Sequence, residues 1–250
     1  MYNSNNQSPL APRTRFHDNM NNWPDKLCLL TSPPQSRKTE HEIIQPILNQ
    51  VDLDINRNLN NSNHLSIIFS MKTLISSKQL KDRLDNTAKI KTLEWNSKKT
   101  KNLDNVIGKL TRSLSDSKPI RCLSILGVPS RFSIDNGLYT LIQSLSQTSY
   151  SSIYIIFDEW DSYLITTNAW NTIQHINSME KDITMTALSA THEKAIEKLK
   201  IKGMLDEDAQ PMLSESHTNL HDYRLYEQET PVYIENTKNI TDDFDQAYSK

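Results

Sequence analysis

Residues 153–161 read IYIIFDEWD, an apolar run that ends abruptly in acidic residues. A continuous apolar run of this length is typical of a strand buried on both faces of a parallel sheet. Similar short runs recur along the chain and alternate with segments whose apolar residues have helical spacing. This alternation predicts an α/β domain with a mostly parallel central sheet and helices on both faces. The predicted strands span 27–30, 64–71, 90–95, 121–128, 153–157 and 183–188, and the predicted helices span 38–51, 76–84, 103–114, 136–145, 169–179 and 193–200.

The chain divides into three parts by composition. Residues 1–22 are polar and rich in asparagine, so we expect a disordered N-terminal arm. Residues 23–205 contain the predicted sheet and helices and are expected to form one domain. Residues 206–250 are more polar, and we expect a C-terminal extension or linker there, with one further short strand at 232–234.

The overall composition excludes several classes of protein. The net charge of −2 gives no general basic footprint for nucleic acid, although a local groove is compatible with it. Two cysteines, Cys28 and Cys122, are too few for a disulfide framework or a four-cysteine zinc site. The sequence has no apolar stretch of membrane-spanning length and no secretory signal. We therefore expect a soluble, intracellular protein without a membrane partner.

Glycine is scarce in this chain. Its 250 residues include only Gly108, Gly127, Gly137 and Gly203, where average usage would supply roughly 17. These four positions form neither a Gly-x-Gly-x-x-Gly fingerprint nor a Gly-x-x-x-x-Gly-Lys-Ser/Thr loop. Any phosphate-binding loop must therefore be built without glycine.

The loop after the first strand is the first candidate site, because ligands of such sheets bind beyond the carboxyl ends of the strands. Residues 31–40 read TSPPQSRKTE. Lys38 and Thr39 begin the following helix and supply the ammonium and hydroxyl groups that a phosphate·Mg²⁺ site uses. Arg37 occupies the position before the lysine, where glycine is usual. A Lys-Thr pair at a helix start is also common without any function.

The acidic end of the run 153–161 is the second candidate. An apolar strand that ends in Asp-Glu has the form of a Walker B element, whose aspartate holds Mg²⁺ and whose glutamate orients or deprotonates the attacking water. A solvated acidic turn after a core strand is the alternative. The segments 127–131, GVPSR, and 189–191, SAT, follow two other strands, and each alone is uninformative.

In their order along the chain, these segments resemble the first RecA-like domain of a superfamily 2 helicase of the DEAD/DEAH kind. The resemblance extends over roughly residues 23–200. Segment 32–39, SPPQSRKT, resembles motif I; 69–72, FSMK, falls at motif Ia; 127–131 resembles motif Ib; DEWD at 158–161 resembles motif II; and 189–191 matches motif III.

The resemblance implies ATP and Mg²⁺ as cofactors and a nucleic acid, DNA or RNA, as a partner bound through its backbone without sequence preference. Lys38 would contact the β/γ-phosphates and Glu159 would be the catalytic base, while Thr39 and Asp158 would hold Mg²⁺. The other implied residues are Gln35, Ser36, Arg37, Lys38 and Thr39 around the nucleotide, Lys72, Ser130 and Arg131 on the nucleic acid, and Asp161, Ser189 and Thr191 in coupling nucleotide state to domain movement.

Two departures from the family pattern bear on activity. Arg37 and Gln35 stand where glycines are usual, and a non-glycine residue in such a backbone costs on the order of 1–2 kcal/mol. We therefore expect weakened ATP binding, and hydrolysis is left open. After residue 200 only about 50 residues remain, fewer than a second RecA-like domain needs. We expect either a truncated paralogue or a second domain on another polypeptide, and no unwinding by this chain alone.

Three functions are compatible with these residues. The leading hypothesis is a helicase-like ATPase domain that remodels DNA or RNA. The second is a catalytically decayed helicase fold that serves as a scaffold for nucleic acid or protein. The third is an unrelated P-loop-like enzyme such as a nucleotide kinase, which the SAT and GVPSR segments disfavour. His217 and His221 are interpreted as surface histidines, because no cysteine or third histidine lies near them in the sequence.

Overall fold

The computed structural model contains one parallel sheet flanked by helices. It describes residues 24–31, 43–48, 63–70, 74–87, 89–95, 103–148, 150–189 and 192–207. The strands are β1 (Leu27–Thr31), β2 (Asn63–Ser70), β3 (Thr92–Trp95), β4 (Cys122–Leu126), β5 (Tyr150–Asp158) and β6 (Ile183–Ser189). The helices are α1 (43–48), α2 (Leu74–Asp82, continued by a π-helical turn at Arg83–Thr87), α3 (Leu103–Ser113), α4 (Leu138–Ser146), α5 (Thr167–Asn177) and α6 (Glu193–Ile201), with 3₁₀ turns at Pro129–Phe132 and Trp160–Ser162.

All six strands are parallel and follow the order β1-β6-β5-β2-β4-β3. The prediction of an α/β fold with a parallel sheet and helices on both faces is confirmed. Strand β5 pairs with β6 on one side and β2 on the other, and it is buried from Ile153 to Phe157. A strand in this position has no solvent-exposed face, which explains why its sequence is continuously apolar rather than alternating.

The helices are divided between the two faces of the sheet by the direction of the chain. Ile155 and Phe157 of β5 belong to the core that packs against α3, α4, α5 and α6. Tyr154 and Ile156 belong to the opposite core, which packs against α1 and α2. Connections between parallel strands are right-handed. The chain therefore places α1 and α2 on one face as it moves from β1 out to β3, and α3 to α5 on the other face as it returns to β6.

The predicted bounds differ from the observed ones by a few residues. Strand β5 begins at Tyr150, earlier than predicted, because its first residues pair with the start of β2. Helix α5 begins at Thr167 rather than 169, because the Thr166 hydroxyl accepts a hydrogen bond from the backbone N–H of Ala169 and caps the helix. The predicted arm at 1–22, the strand at 232–234 and nearly all of the extension lie outside the described residues. No helix in the described part of the chain has the length and apolar character needed to cross a membrane.

Candidate functional site

The ends of β1, β6 and β5 lie side by side at one edge of the sheet, which we call the carboxyl edge. Thr31 at the end of β1 pairs with Ser189 of β6, and Leu188 of β6 pairs with Asp158 at the end of β5. Neighbouring strands are about 4.8 Å apart, so the loop after β1 and the acidic turn after β5 start about two strand spacings apart. After β1 the chain enters the α1–α2 face, and after β6 it enters the opposite face. This divergence opens a crevice where ligands of open α/β sheets bind.

Asp158 is half-buried at the carboxyl edge. Its side chain falls on the α1–α2 face, because side chains alternate along a strand and Ile156 belongs to that core. Ser70 ends β2 on the same face, one residue beyond the pair Phe69 and Phe157. The Ser70 hydroxyl is buried and has no hydrogen-bond partner among the described residues. Carboxylate and hydroxyl oxygens are the donors that Mg²⁺ and its waters prefer, so this pair fits the ion that the resemblance implies.

Glu159 has a left-handed backbone, with φ 52° and ψ 47°. A left-handed conformation costs a residue other than glycine about 1–2 kcal/mol, and such strain is concentrated at functional sites. The turn is held locally by Ser162, whose backbone N–H and hydroxyl both donate to the Glu159 carbonyl, at 3.1 and 2.9 Å. The chain thus bends sharply after β5, and the half-buried Glu159 stays beside Asp158 at the carboxyl edge.

Tyr163 anchors the acidic turn in the core. Its side chain is 1% exposed, and its ring stacks on Phe69 and Phe132 with centroid separations of 6.2 and 6.0 Å. Its hydroxyl donates to the backbone carbonyl of Asp158 at 3.0 Å. Burial raises the pKa of Tyr163, and the three carboxylates of segment 158–161 raise it further. The hydroxyl therefore remains a protonated donor at neutral pH.

Gly127 lies directly against the Tyr163 ring. A Cβ atom at this position would be 2.6 Å from ring carbon Cε1, 2.7 Å from Cδ1 and 2.9 Å from the Ser70 carbonyl oxygen. The Gly127 N–H donates to that same carbonyl at 2.8 Å. Only glycine fits this close approach, and it joins the GVPSR segment to the acidic turn.

Asp161 and Ser189, the predicted coupling residues, lie on elements that touch. Asp161 is half-buried within the 3₁₀ turn Trp160–Ser162, and this turn packs against β6. Ser189 is buried at the end of β6. The contact provides a physical connection between the two segments, while their coupling role stays a prediction.

Arg131 differs from the expectation of a side chain on an exposed, phosphate-gripping face. It is 2% exposed, and its guanidinium carbon lies 4.2 Å from the centre of the Trp95 ring. Its Nη2 donates to the Trp95 carbonyl at 2.8 Å, and burial lowers its pKa to about 10. The reason for the burial is that the end of β3 offers both an aromatic face and a carbonyl to the guanidinium. Ser130 is exposed, and its contact with nucleic acid stays a prediction.

Among the described residues, no group of three or more His, Cys, Asp or Glu side chains could hold a metal by itself.

Several predicted site residues lie outside the described residues, and their roles stay predictions. The residues outside the described ranges are Gln35, Ser36, Arg37, Lys38, Thr39, Lys72 and Thr191, together with His217 and His221.

Several solved structures are similar to part of this chain. The C-terminal part of the Fun30 ATPase domain covers 72% of it at 11% identity, with a TM-score of 0.39. The ORC2 protein of Aeropyrum pernix, solved as ADPNP–ADP complexes, covers 68% at 16% identity, with a TM-score of 0.26. This chain spans about half the length of each, 49% and 45%. No protein-family model and no curated protein sequence matches it.

The sequence gives no role to two residues that the structure places at the site. Ser70 follows the last apolar residue of β2 as Asp158 follows that of β5, and this shared position is the signal that could have identified it. Tyr163 carries no comparable signal, because its contact with the Asp158 carbonyl depends on the left-handed turn between them.

Proposed function

We propose that this chain is a helicase-like ATP-binding domain of the RecA-like kind that acts on DNA or RNA. The observation that supports this most directly is the meeting of β1, β6 and β5 at one carboxyl edge. The first leads into the loop with Lys38 and Thr39, the second into the SAT segment, and the third into DEWD. Segments far apart in the chain become neighbours in this strand order, as a single nucleotide site requires.

In this proposal the residues divide the work by their chemistry. Lys38 would bind the β/γ-phosphates, and Thr39 and Asp158 would hold Mg²⁺, with the buried Ser70 hydroxyl on the strand next to Asp158. When bound, the ion neutralises charge on the phosphates. The Glu159 carboxylate, held beside Asp158 by the turn, orients the attacking water and accepts its proton.

Nucleic-acid contact is proposed on the segment that follows β4. Ser130 is exposed there, and the buried Arg131 orders the turn that carries it by bonding to Trp95. Because the net charge of −2 gives no general basic footprint, the contact is proposed as a local one, and Lys72 is a further residue proposed for it. Movement would be driven against a second RecA-like domain on another chain, coupled through the contact between the Trp160–Ser162 turn and β6.

The test is ATP hydrolysis by the purified chain, with and without single-stranded DNA or RNA. We expect Mg²⁺-dependent turnover, and we expect Glu159→Gln to lower kcat by about 10²–10⁴-fold, because that is the usual contribution of a general base. ATP binding should persist in that variant. The matched control is Glu180→Gln, since Glu180 is exposed and precedes β6 at the opposite edge; it should leave kcat unchanged.

Arg37→Gly distinguishes the two forms of the hypothesis. If Arg37→Gly hydrolyses ATP and the natural chain does not, the natural chain is a decayed ATPase. If the natural chain then binds nucleic acid without hydrolysing ATP, the result favours the scaffold function. Failure of both the natural chain and Arg37→Gly to bind nucleotide would refute the proposed function.

A further inference from the structure

We propose that Tyr163 is a positioning residue that holds the peptide between Asp158 and Glu159 and thereby keeps the Glu159 carboxylate at the carboxyl edge. The inference about the backbone stands on the contacts of Tyr163 alone. Its consequence for catalysis rests on the role of Glu159 in the proposed function.

The Tyr163 hydroxyl donates a hydrogen bond to the Asp158 carbonyl, 3.0 Å away. That carbonyl belongs to the same planar peptide unit as the N–H of Glu159. Fixing the carbonyl therefore limits rotation on both sides of the unit, including the φ angle of Glu159. This angle is 52°, in a region that residues other than glycine rarely adopt.

The Tyr163 side chain itself has little conformational freedom. Its ring is stacked on Phe69 and Phe132 and is fully surrounded by the core. On another side lies Gly127, so close that an added Cβ would be 2.6 Å from the ring. The hydroxyl is therefore presented to the Asp158 carbonyl by a rigid ring rather than by a mobile side chain.

The backbone hydrogen bonds within the turn depend on the same geometry. The N–H groups of Ser162 and Tyr163 donate to the carbonyls of Glu159 and Trp160, both at 3.1 Å, and the Leu164 N–H also donates to Trp160, at 2.9 Å. If the peptide between Asp158 and Glu159 rotates, these acceptors move as well. Loss of the tyrosine hydroxyl should consequently loosen the backbone of the whole turn.

Tyr150 provides a matched control at the other end of β5. It is fully buried, and its hydroxyl also bonds to backbone carbonyls, those of Leu110 at 3.3 Å and Ile120 at 3.2 Å. Burial raises its pKa to about 12, so both tyrosines are neutral donors. Tyr150→Phe removes the same phenolic oxygen, from a tyrosine at the start of β5, and does not touch the acidic turn.

The experiment compares Tyr163→Phe and Tyr150→Phe with the natural chain by amide hydrogen exchange. We expect exchange at Ser162, Tyr163 and Leu164 to rise several-fold in Tyr163→Phe and to remain unchanged in Tyr150→Phe. Thermal unfolding of each variant checks that it is folded. Unchanged exchange of the turn in Tyr163→Phe, or an equal rise in Tyr150→Phe, would overturn the inference whether or not the chain hydrolyses ATP.

The catalytic consequence is measured separately. We expect Tyr163→Phe to lower kcat about 3–10-fold, the range that the loss of one hydrogen bond corresponds to, with the KM for ATP nearly unchanged. Tyr150→Phe should alter neither constant. If turn exchange rises while kcat stays constant, the turn is held by Tyr163 but its positioning role is wrong. If the natural chain shows no turnover, its proposed ATPase activity is wrong, and the exchange result still decides whether Tyr163 holds the turn.

Discussion

Two glycines of this chain show how strongly the effect of one residue depends on its neighbours. Gly108 lies in α3, where an added Cβ would meet only the end of the Arg112 side chain, at 3.9 Å. Gly127 is enclosed by the Tyr163 ring and by the backbone carbonyl of Ser70. Gly108 weakens the helix, because glycine has a lower helix propensity than alanine. Gly127 allows a close contact between its backbone and the Tyr163 ring, and a residue with a Cβ atom would not fit there.

The same substitution should therefore have opposite effects at these two positions. We expect Gly127→Ala to lower the free energy of unfolding by about 1–3 kcal/mol, because neither a stacked ring nor a strand carbonyl can move easily. Gly108→Ala should raise it by roughly 0.5–1 kcal/mol, the helix preference of alanine over glycine. Urea unfolding measures both. A Gly127→Ala variant as stable as the natural chain would show that the ring and carbonyl relax.

At the residue scale, the sequence predicts chemistry better than exposure. Asp158 and Glu159 are recognisable because a clean apolar strand ends in them. Arg131 is recognisable as a basic residue but not as a buried one, because its partner Trp95 lies on another strand, 36 positions away. A contact between residues so far apart in sequence depends on the strand order, and the strand order cannot be predicted from the local sequence.

The paired strands β2 and β5 carry buried or half-buried polar side chains at both ends. Ser70 and Asp158 lie at the carboxyl edge. At the amino end of β2, His64 is buried between two hydroxyls, with its Nδ1 2.8 Å from Ser152 Oγ and its Nε2 3.2 Å from Ser66 Oγ. Burial, and secondarily the charge of Arg121, lowers the pKa of His64 to about 3. The imidazole is therefore neutral in the folded protein and joins the two strands.

This histidine makes stability depend on pH. Its ordinary pKa in an unfolded chain is about 6.5, so below that value the unfolded state takes up a proton that the folded state refuses. The contribution of His64 to the free energy of unfolding should be fully present above about pH 6.5. It should fall as the pH drops toward 3, with a slope approaching 1.4 kcal/mol per pH unit. Urea unfolding of the natural chain at pH 7.5 and 5.5 should show a loss of about 1 kcal/mol.

The control variants separate His64 from the rest of the protein. His64→Gln should remove most of that loss, because glutamine does not titrate. His175→Gln changes an exposed histidine on α5 and should leave the loss intact. An unchanged pH dependence in His64→Gln would assign the effect to other groups.

At the element scale, the periodicity of apolar residues predicts the helices and strands well, and their ends less well. Thr166 is the kind of residue that caps a helix, and its signal lies in the sequence. The 3₁₀ turn Trp160–Ser162 has no such signal, because it depends on the left-handed Glu159 and on the bond from Tyr163.

The whole domain should respond to its proposed ligands, because the carboxyl edge joins three strands of the sheet. A ligand that binds only the folded state at 100 times its Kd stabilises a protein by about 2.7 kcal/mol. For a domain of this size, ATP with Mg²⁺ at that ratio should raise the Tm by roughly 5–10 °C. Removing Mg²⁺ with a chelator should reduce the shift.

Asp158→Asn identifies the source of that shift. The variant should lose most of the Mg²⁺-dependent part, since its amide carries no charge for the ion. Asp135→Asn, at an exposed loop position, should keep the full shift. An equal Tm with and without nucleotide in the natural chain would contradict an ATP site.

At the scale of the molecule, the fold class was predictable and the strand order was not. Alternating strands and helices are sufficient to indicate a parallel sheet covered on both faces. The apolar runs of β1, β2 and β5 are chemically similar, so nothing in their sequences states which strand lies beside which. The order follows from the packing of whole crossover units, and with it comes the juxtaposition of Thr31, Ser189 and Asp158.

Strand β1 has a sheet partner only in β6 among the described strands, with Leu27 beside Met185. The residue before β1 also contacts a segment late in the chain, because the Lys26 N–H donates to the side-chain oxygen of Asn177, at the end of α5, at 2.8 Å. During synthesis, β1 leaves the ribosome before the other described strands, and it can pair only after β6 has emerged. Contacts of such long sequence separation form slowly. The contact between β1 and β6 can consequently form only after β6 has been synthesised, and the proposed nucleotide site at the carboxyl edge would be assembled only then.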